Sequence, residues 1–387
     1  MVYLEEKREN TIIRVIGVGG AGGNAVSHMI NQGIQGVDFI CANTDAQVLA
    51  RTGASVLIQL GETGLGAGAN PTVGRDAALS DRERIADAIR GAHMVFVTAG
   101  MGGGTGTGAA PVIAEVAREM GILTVGVVTK PFEFEGIKRM RVASQGIEEL
   151  SSSVDSMIVV LNERLQEVLG EDITQKEAFR AADTILCNAV AGIAEIINSP
   201  GMINVDFQDV CTVMSENGRA MMGSSVASGP DRARVAAERA IACPLLEGVN
   251  LSGARGLLVN ITSSELSLKL REPKEVMNII RSYAAEDATI IYGAVYDSEI
   301  GDDLRVTVVA TGLSEVASKA DPAFADRRQA VSLSSSGQID YDTFDAPAVI
   351  RRREQRVASS GSGQDRSNRG GGVEVLDIPS FLRRSVE

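Results

Sequence analysis

Residues Gly100-Met-Gly-Gly-Gly-Thr-Gly-Thr-Gly-Ala-Ala-Pro111 have the types and spacing to hold a phosphate chain. Gly102, Gly103, Gly104, Gly106 and Gly108 carry no Cβ, so the backbone can approach a ligand and turn its N–H groups inward. Thr105 and Thr107 add hydroxyls. An apolar helix pattern over 109–120 follows and points its positive end at the same spot. The chemistry this suits is the cradling of a di- or triphosphate. No Lys-Ser or Lys-Thr pair closes the run, so it is not a P-loop of the G-x-x-x-x-G-K-[ST] kind. Glycine runs are often linkers. Here the strand-like run His93-Met-Val-Phe-Val-Thr98 leads in and a helix leads out, which a linker lacks.

A second glycine group, Gly17-Val-Gly-Gly-Ala-Gly-Gly-Asn24, joins a buried strand over 11–18 to a helix over 25–32. Gly17, Gly19 and Gly22 satisfy G-x-G-x-x-G, and Asp38 and Asp45 follow at roughly the distance a dinucleotide fold uses. That competing reading, a nicotinamide oxidoreductase, leaves the stronger run near residue 104 without a role. Strands are expected over 37–42, 122–128 and 156–161, delivering Asn43-Thr-Asp45, Glu135 with Arg139, and Asn162. Glu135 and Arg139 by themselves read as an exposed helical i,i+4 pair. A third glycine loop, Gly64 to Pro71, opens a polar helix over 73–90. Strands alternating with helices imply an α/β fold with a mostly parallel sheet and ligands at the strands' C-terminal ends.

Thr174-Gln-Lys-Glu177 is a capping box. Apolar residues then recur at helical spacing from Phe179 to Ile197, and Asn198-Ser-Pro-Gly201 stops the helix. Phe179 and Asp183 lie one turn apart, plainly read as a core ring and a surface acid. Asp206 and Asp209 plainly read as helix-capping acids. From 201 to 313 the pattern predicts a compact α+β domain, with helices over 210–217, 231–242 and 273–285 and strands over 220–226, 255–262, 288–296 and 304–310. A Ser-, Gly- and Arg-rich stretch over 314–372 reads as a disordered linker. Order-forming residues return over 373–387, as in a docking peptide.

The chain of 387 residues is long enough for two domains. Hydrophobic residues make up 44% but aromatics only 4%, so the core must be built from Val, Ile, Leu, Ala and Met. A net charge of −13 argues against nucleic acid as a partner. Cys41, Cys187, Cys211 and Cys243 form no CxxC pair and read as reduced, buried thiols. Two histidines are too few for a His-based metal site or triad. The first residues carry no signal- or transit-peptide pattern, and no apolar run is expected to span a bilayer.

The run Gly-Gly-Gly-Thr-Gly-Thr-Gly closely resembles the signature of the tubulin superfamily. Its longer form, Ala99 to Pro111, is similar to that of the bacterial cell-division branch, the FtsZ family. The resemblance covers about residues 10–313 and the tail, departing at Ala21 and Thr184. It implies a Rossmann-like GTP-binding domain (11–173, after an extension over 1–10). A long central helix (174–200) would join it to a smaller α+β domain (201–313). It implies a cytoplasmic GTPase that assembles head to tail into filaments at the division site. Nucleotide contacts are implied at Gly19, Gly20, Ala21, Gly22, Gly23, Asn24, Asn43, Gly102, Gly103, Gly104, Thr105, Gly106, Thr107, Glu135, Arg139 and Asn162. Phe179 would stack on the base and Asp183 would read it. Guanine offers N1–H and a 2-amino group to a carboxylate, whereas adenine presents an acceptor. Asn204, Asp206 and Asp209 would act on the nucleotide of the next subunit. Mg²⁺ would sit mainly on the phosphates, with Asp45, Asp206 and Asp209 as candidate ligands. The tail residues Leu376, Asp377, Ile378, Pro379, Phe381, Leu382, Arg383 and Arg384 would dock membrane-tethering partners such as FtsA or ZipA.

Overall fold

A computed structural model describes residues 11–313, apart from 171, 199–200, 204, 217–218, 243–253, 286 and 298–299. Asn204, Cys243 and the docking residues 376–384 therefore lie outside the described residues. Six apolar runs form the strands β1 (Ile13–Val18), β2 (Val37–Asn43), β3 (Val56–Gln59), β4 (Met94–Gly100), β5 (Leu123–Lys130) and β6 (Ser156–Leu161). They are parallel and lie in the order β3-β2-β1-β4-β5-β6, that of a doubly wound nucleotide fold. Val18 is level with Ala42 and Ala99, and Ala99 with Val128, so these strands end along one edge.

Seven helices connect and flank these strands: α1 (Gly19–Asn31), α2 (Ala46–Leu49), α3 (Pro71–Ser80), α4 (Arg82–Ile89), α5 (Thr105–Glu119), α6 (Ile137–Ser153) and α7 (Asn162–Leu169). Sequence places the first two long helices at residues 25 and 109, yet each begins inside its glycine run. Glycine disfavours helix by about 1 kcal/mol, and packing overrides that here. A Cβ on Gly106 would meet the Gly100 carbonyl oxygen at 2.7 Å, and one on Gly108 would collide with the Pro71 carbonyl. The polar helix expected over 73–90 is two helices, broken at Asp81. The Gly61 N–H donates to Asp81 Oδ2 at 2.7 Å, and Arg84 pairs with its Oδ1 at 2.8 Å. The sequence pattern marks no element at α2, β3 or α7, and at α6 only the helical spacing of Glu135 and Arg139.

Helix α8 (Gln175–Asn198) starts as expected, with Thr174 N–H and Oγ1 donating to Glu177 Oε2 at 2.9 and 2.8 Å. Contrary to expectation, it is long and apolar enough to cross a membrane, with a mean hydropathy of 1.2 over its most apolar window. Its apolar stripe is nonetheless a core stripe. Leu186, Ala189, Val190, Ile193 and Ile196 pack in one cluster with Val125, Val127 and Ile158 of the first strands and with Met222, Leu258 and Val309 beyond it. Those last residues belong to the second half: β7 (Gly201–Ile203), α9 (Phe207–Met214), β8 (Arg219–Ala227), α10 (Arg232–Ile241), β9 (Gly256–Ser263), α11 (Arg271–Arg281), β10 (Thr289–Tyr296) and β11 (Leu304–Leu313).

β8 joins β6 in parallel register at Met157↔Arg219 and Ile158↔Ala220, so one sheet of eleven strands runs through both halves. In the second half, β11 is antiparallel to β8 and β9. Helices α10 and α11 are tied by the buried Arg232–Glu272 pair at 2.7 Å. Burial works against the Glu272 carboxylate, but Arg232 and the Lys269 N–H outweigh it and hold its pKa below the usual range. Cys41 and Cys187 are buried free thiols, as expected, whereas Cys211, also free, is only partly buried; burial pushes Cys187 up to about 11.

Candidate nucleotide site

Two helices begin at the shared strand edge, and their first turns touch. Gly19 has φ +74°, and a Cβ there would meet the Gly106 nitrogen at 2.9 Å. Neither α1 nor α5 has a side chain capping its N-terminus or an acidic residue in its first turn. By contrast α2, α3 and α9 are capped by Asp45, Asn70 and Asp206. Two adjoining, uncapped helix starts leave a cluster of backbone N–H groups suited to an anion. The space before them is open: a Cβ on Gly20 or Gly103 would find nothing within 4 Å. Gly20, Ala21 and Asn24 are exposed, while Gly19, Gly22 and Gly23 are buried supports. Gly102 lies in the turn before α5, and Gly104 occupies its N-cap position.

The hydroxyls divide differently from expectation. Thr105 shares a 2.6 Å hydrogen bond with Thr44, the middle residue of the Asn43-Thr-Asp45 cluster, to which sequence gives no contact of its own. Thr107 is buried, and its Oγ1 accepts from Gly102 N–H at 2.9 Å, so it shapes the turn from within. Asn43 Oδ1 accepts from Asp45 N–H at 3.2 Å, and Asp45 Oδ1 in turn accepts from Gln47 and Val48 N–H. Both are thus committed in part to their own turn. The loop before α3 lies against the cradle, since a Cβ on Gly104 would meet Ala67 Cβ at 2.8 Å. Asp38 sits at the far edge, 3.7 Å from Arg14, and cannot serve as the ribose acid of a dinucleotide fold.

A second wall rises from β5, β6 and α8. Glu135 lies in a 3₁₀ turn (Glu133–Glu135) and is mostly buried, at 10% side-chain exposure, so it is not the exposed helical pair that spacing suggests. Its Oε1 accepts from Phe132 N–H at 2.9 Å and its Oε2 meets Arg139 at 3.1 Å. Each oxygen keeps a lone pair for a further donor. Asn162 is 4% exposed, and its Oδ1 has no partner among the described residues. A buried orphan acceptor calls for a further donor, from a ligand or an ordered water.

Phe179 and Asp183 reverse their plain reading. Phe179 is 38% exposed, and its ring stands edge-on to Phe132 with centroids 5.4 Å apart. Asp183 is half-buried, and burial with nothing to offset it pushes its pKa up to about 6. An exposed ring beside an acid lacking donors fits a purine base that brings two. Thr184, where the family resemblance lapses, ties α8 to α1 through a 3.2 Å contact with His28.

The acids Asp206 and Asp209 are not brought to this site. Phe207, between them, packs edge-on against His93, which precedes β4, with centroids 6.1 Å apart. Asn198 at the end of α8 donates to the Gly36 carbonyl at 2.7 Å, just before β2. Both contacts lie at the opposite edge of the sheet from the cradle. The seven residues of β4 alone separate the two edges by about 20 Å. Asp206 is exposed and caps α9 by accepting from Gln208 N–H at 3.3 Å, and Asp209 is exposed in its first turn. Among the described residues, no group of three His, Cys, Asp or Glu side chains is placed to hold a metal.

A doubly wound sheet with this edge defines the class: an α/β protein that binds a nucleoside phosphate. Comparison with known proteins narrows it. The family model described as "Tubulin/FtsZ family, GTPase domain" matches residues 12–170, and "FtsZ family, C-terminal domain" matches 218–314. The chain is 53% identical to a Cell division protein FtsZ of Pseudomonas aeruginosa, covering 98% of each. It is 52% identical to that of Coxiella burnetii, covering 99% of this chain and 98% of the relative. Among solved structures, an empty FtsZ dimer of M. jannaschii matches with a TM-score of 0.76 and 43% identity, over 79% of this chain and 89% of that one. The chain belongs to the Tubulin/FtsZ family, and its first half is that family's GTPase domain.

The raised Asp183 pKa has a defined pH signature. In the free protein its neutral form adds stability at low pH that is lost as pH rises through about 6. A guanine that donates to the carboxylate must lower that pKa. Binding of GDP at pH 6 should therefore release up to about half a proton per nucleotide from Asp183, on top of any released by the terminal phosphate of GDP, which titrates in the same range; both are read from the buffer dependence of calorimetric enthalpy. Asp183→Asn should remove the Asp183 share and leave the phosphate share. Equal enthalpies in all buffers would contradict this role for Asp183.

Proposed function

We propose that this GTPase assembles head to tail into filaments and that each GTP is hydrolysed between two copies, one binding it and the next supplying Asp206 and Asp209. The observation that supports this most is the span of α8. Its first turns stand beside the cradle through Phe179 and Phe132, and its last residue reaches the opposite edge through Asn198 and Gly36. Twenty-four residues of helix extend about 36 Å. A chain therefore holds its acids far from its own phosphates, on the face that a following copy would meet.

In this reading the N–H groups of α1 and α5 bind the phosphates. Glu135, Arg139 and Asn162 face the sugar side. Phe179 stacks on guanine and Asp183 accepts its two donors. Asp206 and Asp209 of the adjoining copy orient or deprotonate the attacking water. Mg²⁺ supplies charge neutralisation on the phosphates when bound. Asp45 keeps one carboxylate oxygen beyond its capping bonds, and Asp206 and Asp209 are exposed, so these three suit it from the protein side. Relatives named for cell division support a role at the division site, and the proposal places it on the cytoplasmic face of the membrane. The segment Leu376-Asp-Ile-Pro-Ser-Phe-Leu-Arg-Arg384 would recruit tethering proteins of the FtsA or ZipA kind, through apolar anchors and two arginines.

Asp209→Ala should leave GTP affinity unchanged and lower turnover at least about 100-fold, the scale of a lost acid–base group. Turnover at the unaltered rate would overturn the shared-site reading. Removal of residues 373–387 should spare both assembly and GTP hydrolysis while abolishing partner capture. Loss of assembly would refute the tether role.

A further inference from the structure

The turn after β5 carries two aromatic rings that the phosphate and base contacts do not use. Phe132 is 3% exposed, and its ring makes a T-shaped contact with that of Phe179, with centroids 5.4 Å apart and an interplanar angle of 89°. Phe134, 66% exposed, stacks on Phe132 at 5.0 Å with an angle of 15°. The backbone under Phe132 is fixed as well. Its N–H donates to Glu135 Oε1 at 2.9 Å, and the Glu133 N–H donates to Glu163 Oε2 at 3.0 Å. Glu135 is braced in turn by Arg139.

We infer that Phe132 is a positioning residue for base recognition: backed by Phe134 and anchored through Glu135, it holds the exposed ring of Phe179 at a fixed tilt for the purine. The inference rests on the stacking role proposed for Phe179. The physical ground is the cost of ordering. A ring left 38% exposed at a helix start can leave its stacking pose unless a neighbour opposes the motion. An edge-to-face partner does this, because the positive edge of one ring is attracted to the negative face of the other. Glu135 thereby acts twice, facing the sugar side and fixing the turn that supports the base side.

The test is a double-mutant cycle on GDP affinity, with inorganic triphosphate as a probe lacking base and sugar. Phe132→Leu should weaken GDP binding about three- to tenfold, the range an aromatic pair supports, and leave triphosphate binding unchanged. Phe179→Ala should weaken GDP binding further, and adding Phe132→Leu to it should cost nothing more. Phe134→Ala, an exposed change that spares the core, should weaken GDP binding by about twofold in the same base-dependent way. If Phe179→Ala leaves GDP affinity intact, the stacking role itself fails. If Phe179→Ala weakens binding but Phe132→Leu does not, or if the two losses add, stacking stands and the positioning role is overturned. Equal weakening of GDP and triphosphate by Phe132→Leu would mean a structural role only, and would also overturn it.

Discussion

The structure depends on a backbone contact that only glycine permits. The first turn of α1 lies against the first turn of α5, with the Gly19 Cβ position 2.9 Å from the Gly106 nitrogen. Any side chain there would force the helices apart. Because they touch, two sets of unpaired N–H groups face one volume, and two helix dipoles add their positive ends. An acidic chain of net charge −13 can thus hold a polyphosphate with neither a P-loop lysine nor a basic patch. The parallel strands serve this contact by ending level with one another, and Gly104 against Ala67 closes the cradle from the side of α3.

In the proposed reading, helix α8 makes that local site a property of more than one chain. Its apolar stripe is shared by both halves, so its ends cannot drift independently of the sheet. At the cradle end it presents a ring and an acid. At the other it leads toward the acids of α9, which Phe207 pins against His93. In that reading, protein geometry separates the groups that bind from the groups that act.

The sheet was legible from the sequence because β-branched runs such as Met94–Gly100 and Leu123–Lys130 are long, buried and bounded by glycine. The α8 start was legible because Thr174 and Glu177 are a reciprocal cap. What escaped was whatever tertiary contact decides. Residues 19–24 and 105–108 read as loop by propensity, and close helix packing made them helix. Phe179 and Asp183 read as core and surface by type, and the site inverted them. β3 is only four residues long, with Val56 and Leu57 exposed at the sheet edge, so its pattern was too short to see. Phe132 and Phe134 carried no motif, and Thr44 showed only as the middle of the Asn43-Thr-Asp45 cluster. Their contacts exist only once strand ends and the 133–135 turn are brought beside α5 and α8.

The central claim is that no single copy contains a complete hydrolytic site. The most direct measurement is GTP turnover per molecule as a function of protein concentration, from fully dispersed to assembled. The account predicts a value near zero for dispersed chains that climbs to a plateau as copies associate. A constant value across the whole range, with dispersed chains as active as assembled ones, would contradict it.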